Sequence, residues 1–120
     1  MSQAISSFRD LIVWQRAIQL AKEVYTLSQK FPKHELYGLT QQIRRAVVSV
    51  SSNIAEGHAR QGREFRNFLS IARGSLAEVE SQLFLSVELQ YLASDSLNDA
   101  LSFIGEIRRM ASSLSSKLPS

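Results

Sequence analysis

Apolar residues return at three- and four-residue steps along almost the whole 120-residue chain, and no stretch alternates strictly between apolar and polar. The first pattern belongs to helices with one greasy face; the second is what a half-buried strand would need. The fold class that follows is all-α. Only Pro32 and Pro119 are prolines, and both fall at breaks in the pattern. The spacing predicts four helices, roughly 9–30, 35–57, 62–92 and 95–117. Connections of a few residues favour antiparallel neighbours, hence an up-down-up-down four-helix bundle. A chain of this length buries one core, so residues 1–120 are read as a single domain.

Helix 1 carries two apolar stripes. Leu11, Trp14, Ile18, Ala21 and Tyr25 form one, and Val13, Ala17, Leu20, Val24, Leu27 and Phe31 form the other. The reading places the first stripe in the core, with Trp14 and Tyr25 as core aromatics rather than base-stacking platforms. The second then becomes a surface for self-association. Small or apolar residues off the main stripes of helices 2 and 3 extend that surface: Val48, Ser52, Ala55, Ile71, Leu85 and Leu89. The expected oligomer interface is therefore Val13, Ala17, Leu20, Val24 and those six. Gly57 is read as the stop of helix 2, and Ser94 or Asp95 as the cap of helix 4.

Composition narrows the function. Hydrophobic residues make up 44% and charged residues 21%, too apolar a balance for disorder. With no cysteine, disulfides and thiolate chemistry are excluded. The longest unbroken aliphatic or aromatic run, Leu11-Ile12-Val13-Trp14, cannot span a bilayer. Met1 to Asp10 shows no secretory leader, so a cytoplasmic location is expected.

Catalytic and metal patterns fail one by one. No glutamate has histidine three residues on, so the di-iron bundle motif is absent. Two histidines, His34 and His58, offer few ligands for a metal. Gly57 to Gly62 has the glycine spacing of a P-loop, but Arg63-Glu64 follows where Lys-Ser/Thr is needed. Ser52, Asn53 and Glu56 are read as polar residues that set helix register. No catalytic residue, metal site or cofactor is assigned, and the chain is expected not to be an enzyme.

Charge is uneven. Residues 42–74 hold six arginines against two glutamates, whereas residues 75–120 hold three basic and six acidic groups. The arginines, Arg44, Arg45, Arg60, Arg63, Arg66 and Arg73, come from helix 2, the following loop and helix 3. Guanidinium forks suit phosphate, and cations gathered at one end and flank of a bundle would attract RNA or DNA without reading sequence. Pairing with acidic groups of a neighbouring subunit stands beside that reading, and so does a scaffolding ring that binds a protein partner.

The segments Leu36-Tyr37-Gly38-Leu39-Thr40, Gln42-Ile43-Arg44-Arg45-Ala46 and Ser52-Asn53-Ile54-Ala55-Glu56-Gly57, followed by Glu64-Phe65 and Phe68-Leu69, resemble the four-helix-bundle family encoded by intervening sequences in 23S ribosomal RNA genes. The accessory variability determinant of diversity-generating retroelements is similar. The resemblance runs from about Phe8 to Leu118. It implies a bundle assembled into five-fold rings, a homopentamer. For the retroelement relatives it also implies a basic surface that binds nucleic acid and a reverse transcriptase.

Overall fold

The structure, a computed structural model, describes residues 7–120. Met1–Ser6, where the leader reading begins, lies outside the described residues. Among the described residues there are four α-helices: α1 (Ile12–Ser28), α2 (Leu39–Arg60), α3 (Gly62–Glu88) and α4 (Asn98–Ser116). No strand occurs among the described residues. α1 packs on α2 and α4, and α3 packs on the same two helices, with no diagonal pairing. Each helix therefore neighbours the next in sequence, and the last returns to the first. The most extensive packing is between α2 and α3.

Each predicted helix is present, and all but α2 lie within their predicted ranges, though several ends move for local reasons. α2 begins four residues later than its pattern suggests. Residues Lys33–Glu35 form a single 3-10 turn, and Glu35 then accepts a hydrogen bond from the Leu39 N–H at 3.0 Å. That carboxylate satisfies one of the amides left open at a helix start. At the other end, α2 runs past Gly57. The chain reverses only at Gln61 and Gly62, whose φ angles are 64° and 59°. Gly57 has a different task. A Cβ there would lie 2.8 Å from Phe68 Cβ and 2.9 Å from Phe65 Cδ1, so glycine lets α2 and α3 approach closely.

α3 ends at Glu88 because Gln90 takes φ 64°, after which the Tyr91 and Leu92 amides both turn back to the Ser86 carbonyl. α4 is preceded by a 3-10 turn, Ser94–Leu97, and neither Ser94 nor Asp95 supplies a side-chain cap.

The larger correction concerns α1, whose second stripe forms the core face, while of the first stripe only Leu11 is buried. Val13, Ala17, Leu20 and Val24 are buried inside the chain's own core, with Ala17, Leu20 and Val24 at zero exposure. They cannot meet a second copy, and the expectation that they form an oligomer seam falls. The physical reason is packing on two sides: α1 sits between α2 and α4, so its most regular stripe points along the bundle axis. Of the stripe read as core, Trp14 and Ala21 are partly buried and Tyr25 is exposed. Leu20 and Val24 pack in one cluster with Ile43, Val47, Leu76 and Ile104. Burying a side chain of that size contributes about 1.5–3 kcal/mol.

The outer expectation for α2 and α3 fares differently. Val48, Ile71, Leu85 and Leu89 are exposed, as is Ser52, while Ala55 is half-buried. These surfaces remain open on a single chain.

The α1–α2 connection is fastened to the end of α3. Tyr91 donates its hydroxyl to Glu35 Oε2 at 2.8 Å and lies against the Phe31 ring, with centroids 5.6 Å apart. The Leu39 amide, and after it the Tyr91 hydroxyl, hold the Glu35 carboxyl below its ordinary range, while Glu35 raises the Tyr91 phenol above its own. A carboxylate whose folded value is lowered contributes stability above its unfolded value, near 4.3, and loses it as pH falls through the folded value. We expect thermal melts to show stability declining below about pH 4.3. Glu35→Gln should flatten that acid limb and lower the melting temperature at neutral pH. An acid limb unchanged by the substitution would contradict this role.

Candidate nucleic-acid interface

Helix geometry separates the six arginines. Arg44 and Arg60 lie sixteen residues apart on α2, about 24 Å at 1.5 Å per residue. Arg44 and Arg45 stand at the start of α2. Arg60, Arg63 and Arg66 cluster around the α2–α3 turn, and Arg73 lies further along α3. The expectation of one shared end is therefore corrected. An antiparallel α2–α3 pair puts the start of α2 beside the end of α3, away from the turn.

Most of these guanidinium groups already have partners. Arg60 bridges Glu56 and Glu64 at 3.0 Å each, and its charge is held more firmly by Glu64 first and Glu56 second. It also stacks 5.3 Å from the Phe68 ring centre. Arg66 donates to the Leu118 carbonyl at 3.2 Å and to the Ser115 carbonyl at 3.4 Å, which ties α3 to the end of α4. Arg73 donates to Ser112 Oγ at 3.2 Å. Arg44 donates from Nε to Ser28 Oγ at 2.9 Å and lies 4.7 Å over the Tyr25 ring. Arg45 and Arg63 are exposed and have no hydrogen bond or ion pair among the described residues.

Partnership does not remove positive charge, but it changes the balance. Around the α2–α3 turn, Glu56 and Glu64 offset two of the three arginines. At the start of α2 the position is different. A hollow of about 500 Å³ lies between the end of α1 and the start of α2, and Tyr25, Tyr37, Gln41, Arg44, Arg45 and Val48 line it. No carboxylate is among its lining residues. Tyr37 is 84% exposed, the most exposed of the large apolar side chains. A second hollow of about 370 Å³ shares Leu36, Thr40 and Arg44 with the first and reaches Lys33.

Sequence reasoning had Arg44 and Arg45 but missed Tyr25, Tyr37 and Lys33 as their companions. Tyr37 belongs to no apolar stripe, because it sits in the short turn before α2. That isolation was the available signal, since a large aromatic outside every stripe has no core position to fill.

Of the residues expected to set helix register, Asn53 and Glu56 bond within α2 itself, Glu56 to Arg60, and Ser52 is exposed. Asn53 donates to the Ser49 carbonyl at 2.8 Å and to Ser49 Oγ at 2.9 Å. Ser49 and Ser75 share a hydrogen bond of 2.9 Å across the α2–α3 seam. His58 places its ring edge-on to Phe65, with centroids 5.8 Å apart. No group of three or more His, Cys, Asp or Glu residues among those described could hold a metal ion. No helix among the described residues is long and apolar enough to cross a membrane.

Comparison with known proteins places this geometry. The sequence model of a family described as 23S rRNA-intervening sequence protein matches residues 9–113. Among solved structures, the chain is similar to a protein of unknown function from the S23 ribosomal protein family of Bacteroides thetaiotaomicron, at 23% identity and a TM-score of 0.79. That match covers 88% of this chain and 96% of the other, and it shows a shared fold. No curated protein gives a significant match.

Proposed function

Because the chain belongs to the 23S rRNA-intervening sequence protein family, we propose that it is a non-enzymatic, homo-oligomeric four-helix bundle that binds RNA or DNA through the cationic surface of α2 and the α2–α3 turn. The observation that carries the reading is the pair Arg45 and Arg63: both are exposed, unpartnered among the described residues, and backed by further arginines close in sequence. Exposed guanidinium groups without carboxylate partners bind phosphates by releasing counterions, with little regard to sequence.

Self-association is proposed through the apolar residues that a single chain leaves open on α3, namely Ile71, Leu85 and Leu89. Leu85 and Leu89 stand one turn apart at the end of α3, and exposed apolar neighbours of this kind favour a protein contact over solvent. The five-fold ring and the role as accessory to a larger nucleic-acid enzyme rest on resemblance alone. Repetition of Arg45 and Arg63 around any closed assembly would multiply the attraction to a polyanion.

A scaffolding assembly that binds a protein partner is the second reading, favoured by the intramolecular pairing of Arg60 with Glu56 and Glu64. One variant separates the two. Arg45→Ala combined with Arg63→Ala should lower affinity for mixed-sequence RNA and DNA by roughly 10-fold or more at low salt, with assembly mass unchanged. Fluorescence anisotropy beside light scattering reads both quantities. Altered mass with unmoved nucleic-acid affinity would support the scaffold and overturn the first reading.

A further inference from the structure

We propose that the hollow between the end of α1 and the start of α2 is a site for unpaired nucleotides: a base lies on the Tyr37 ring while the adjoining phosphates meet Arg44 and Arg45. This rests on the nucleic-acid reading above and adds to it a strand class and a place.

Three features meet there. First, the charge is one-sided. Arg44 and Arg45 line the hollow, no carboxylate does, and the neighbouring second hollow adds Lys33. Glu35, the nearest acidic residue in sequence, is turned to the Leu39 amide and the Tyr91 hydroxyl. Second, Arg44 is held in place before any ligand arrives. Its Nε is bonded to Ser28 and its guanidinium lies on Tyr25, while Nη1 has no hydrogen-bond partner among the described residues. A guanidinium fixed in this way loses little freedom when a phosphate binds. Third, Tyr37 presents its ring to water beside those cations. Arginine with an exposed aromatic is the pairing used to hold single strands, because every base has a flat face to stack.

The shape of the site decides between ligands. A duplex hides the faces of its bases, so only unpaired bases can use Tyr37. An acidic peptide would share the arginines. However, the described residues contain no strand, so the hollow has no sheet edge and strand addition is not open to it. The two hollows share Leu36, Thr40 and Arg44 as lining, which places Lys33 in the neighbourhood of Arg44 and Arg45.

The test uses the full chain, a short labelled mixed-sequence RNA or DNA as a single strand, the same sequence as a duplex, and a labelled oligoglutamate peptide, at low salt. Single strands should bind more tightly than the duplex. Tyr37→Ala should weaken single-strand binding roughly 10-fold and leave duplex binding nearly unchanged, while Tyr37→Trp should keep single-strand affinity. The exposure of Tyr37 leaves the fold intact in both variants, which a thermal melt verifies. If both strand forms bind equally and Tyr37→Ala moves neither, the nucleotide site is wrong while phosphate binding stands. If neither form binds, the parent reading has failed. Oligoglutamate binding that Tyr37→Ala weakens while leaving single strands untouched would assign the hollow to an acidic peptide. A change in assembly mass on Tyr37→Ala, with nucleic-acid affinity unmoved, would show that a second copy covers it. Each of these results overturns the proposal.

Discussion

Leu20→Glu should abolish cooperative folding, leaving no thermal transition by circular dichroism. Leu20 is fully buried at the centre of α1. Removing its apolar side chain costs about 2–5 kcal/mol, as for other large core truncations. Burying an unpaired carboxylate adds several kcal/mol more. A domain's whole stability is about 5–15 kcal/mol, so the sum removes most or all of it. Leu85→Glu is the contrast. Leu85 is about half-exposed on α3, so the chain should stay folded with helicity unchanged. A folded, dissociated Leu20→Glu protein would show that this stripe faces a partner after all.

The second large effect is a difference in sign between two glycines. Gly57→Ala gains up to about 1 kcal/mol of helix propensity, but its methyl would overlap Phe68 Cβ and Phe65 Cδ1 at 2.8 and 2.9 Å. Overpacking of this kind costs about 1–3 kcal/mol. The clash should win, because Phe65 and its neighbours are held in the core. Gly74 lies inside α3 with nothing within 4 Å of a Cβ. Gly74→Ala should therefore raise stability by about 0.5–1 kcal/mol. Denaturant melts of the two variants should move in opposite directions. Parallel shifts would mean that close approach at Gly57 does not govern the α2–α3 seam.

Gly57 also shows what the sequence could and could not convey. Helical spacing identified all four helices, because apolar residues every three or four positions have no other use in a chain of this kind. Glycine near a helix end has two uses, a left-handed stop or a close approach, and spacing alone does not choose between them. The α1 stripes fail for a related reason. Both have helical period, and which one lies on the bundle axis depends on where α2 and α4 sit. That placement is a property of the tertiary arrangement, and no pattern within α1 records it.

The candidate site was legible as a list of cations and no further. Arg44 and Arg45 were found by charge density. Their distance from Arg60 follows from helix rise once α2 is known to be continuous through Gly57. Tyr37 carries no periodic signal, because a lone aromatic in a turn has no apolar partner at helical spacing. The engagement of Arg66 with the end of α4 was invisible, since its partners are main-chain carbonyls about fifty residues away in sequence.

The most direct measurement is the salt dependence of affinity for a mixed-sequence single strand, made on the unmodified protein and on the Arg45→Ala, Arg63→Ala variant. Log affinity should fall linearly with log salt concentration, and the slope should be shallower in the variant by about 0.7 for each phosphate it no longer neutralises. Affinity that is absent in dilute buffer, or a slope identical in the two proteins, would contradict the account.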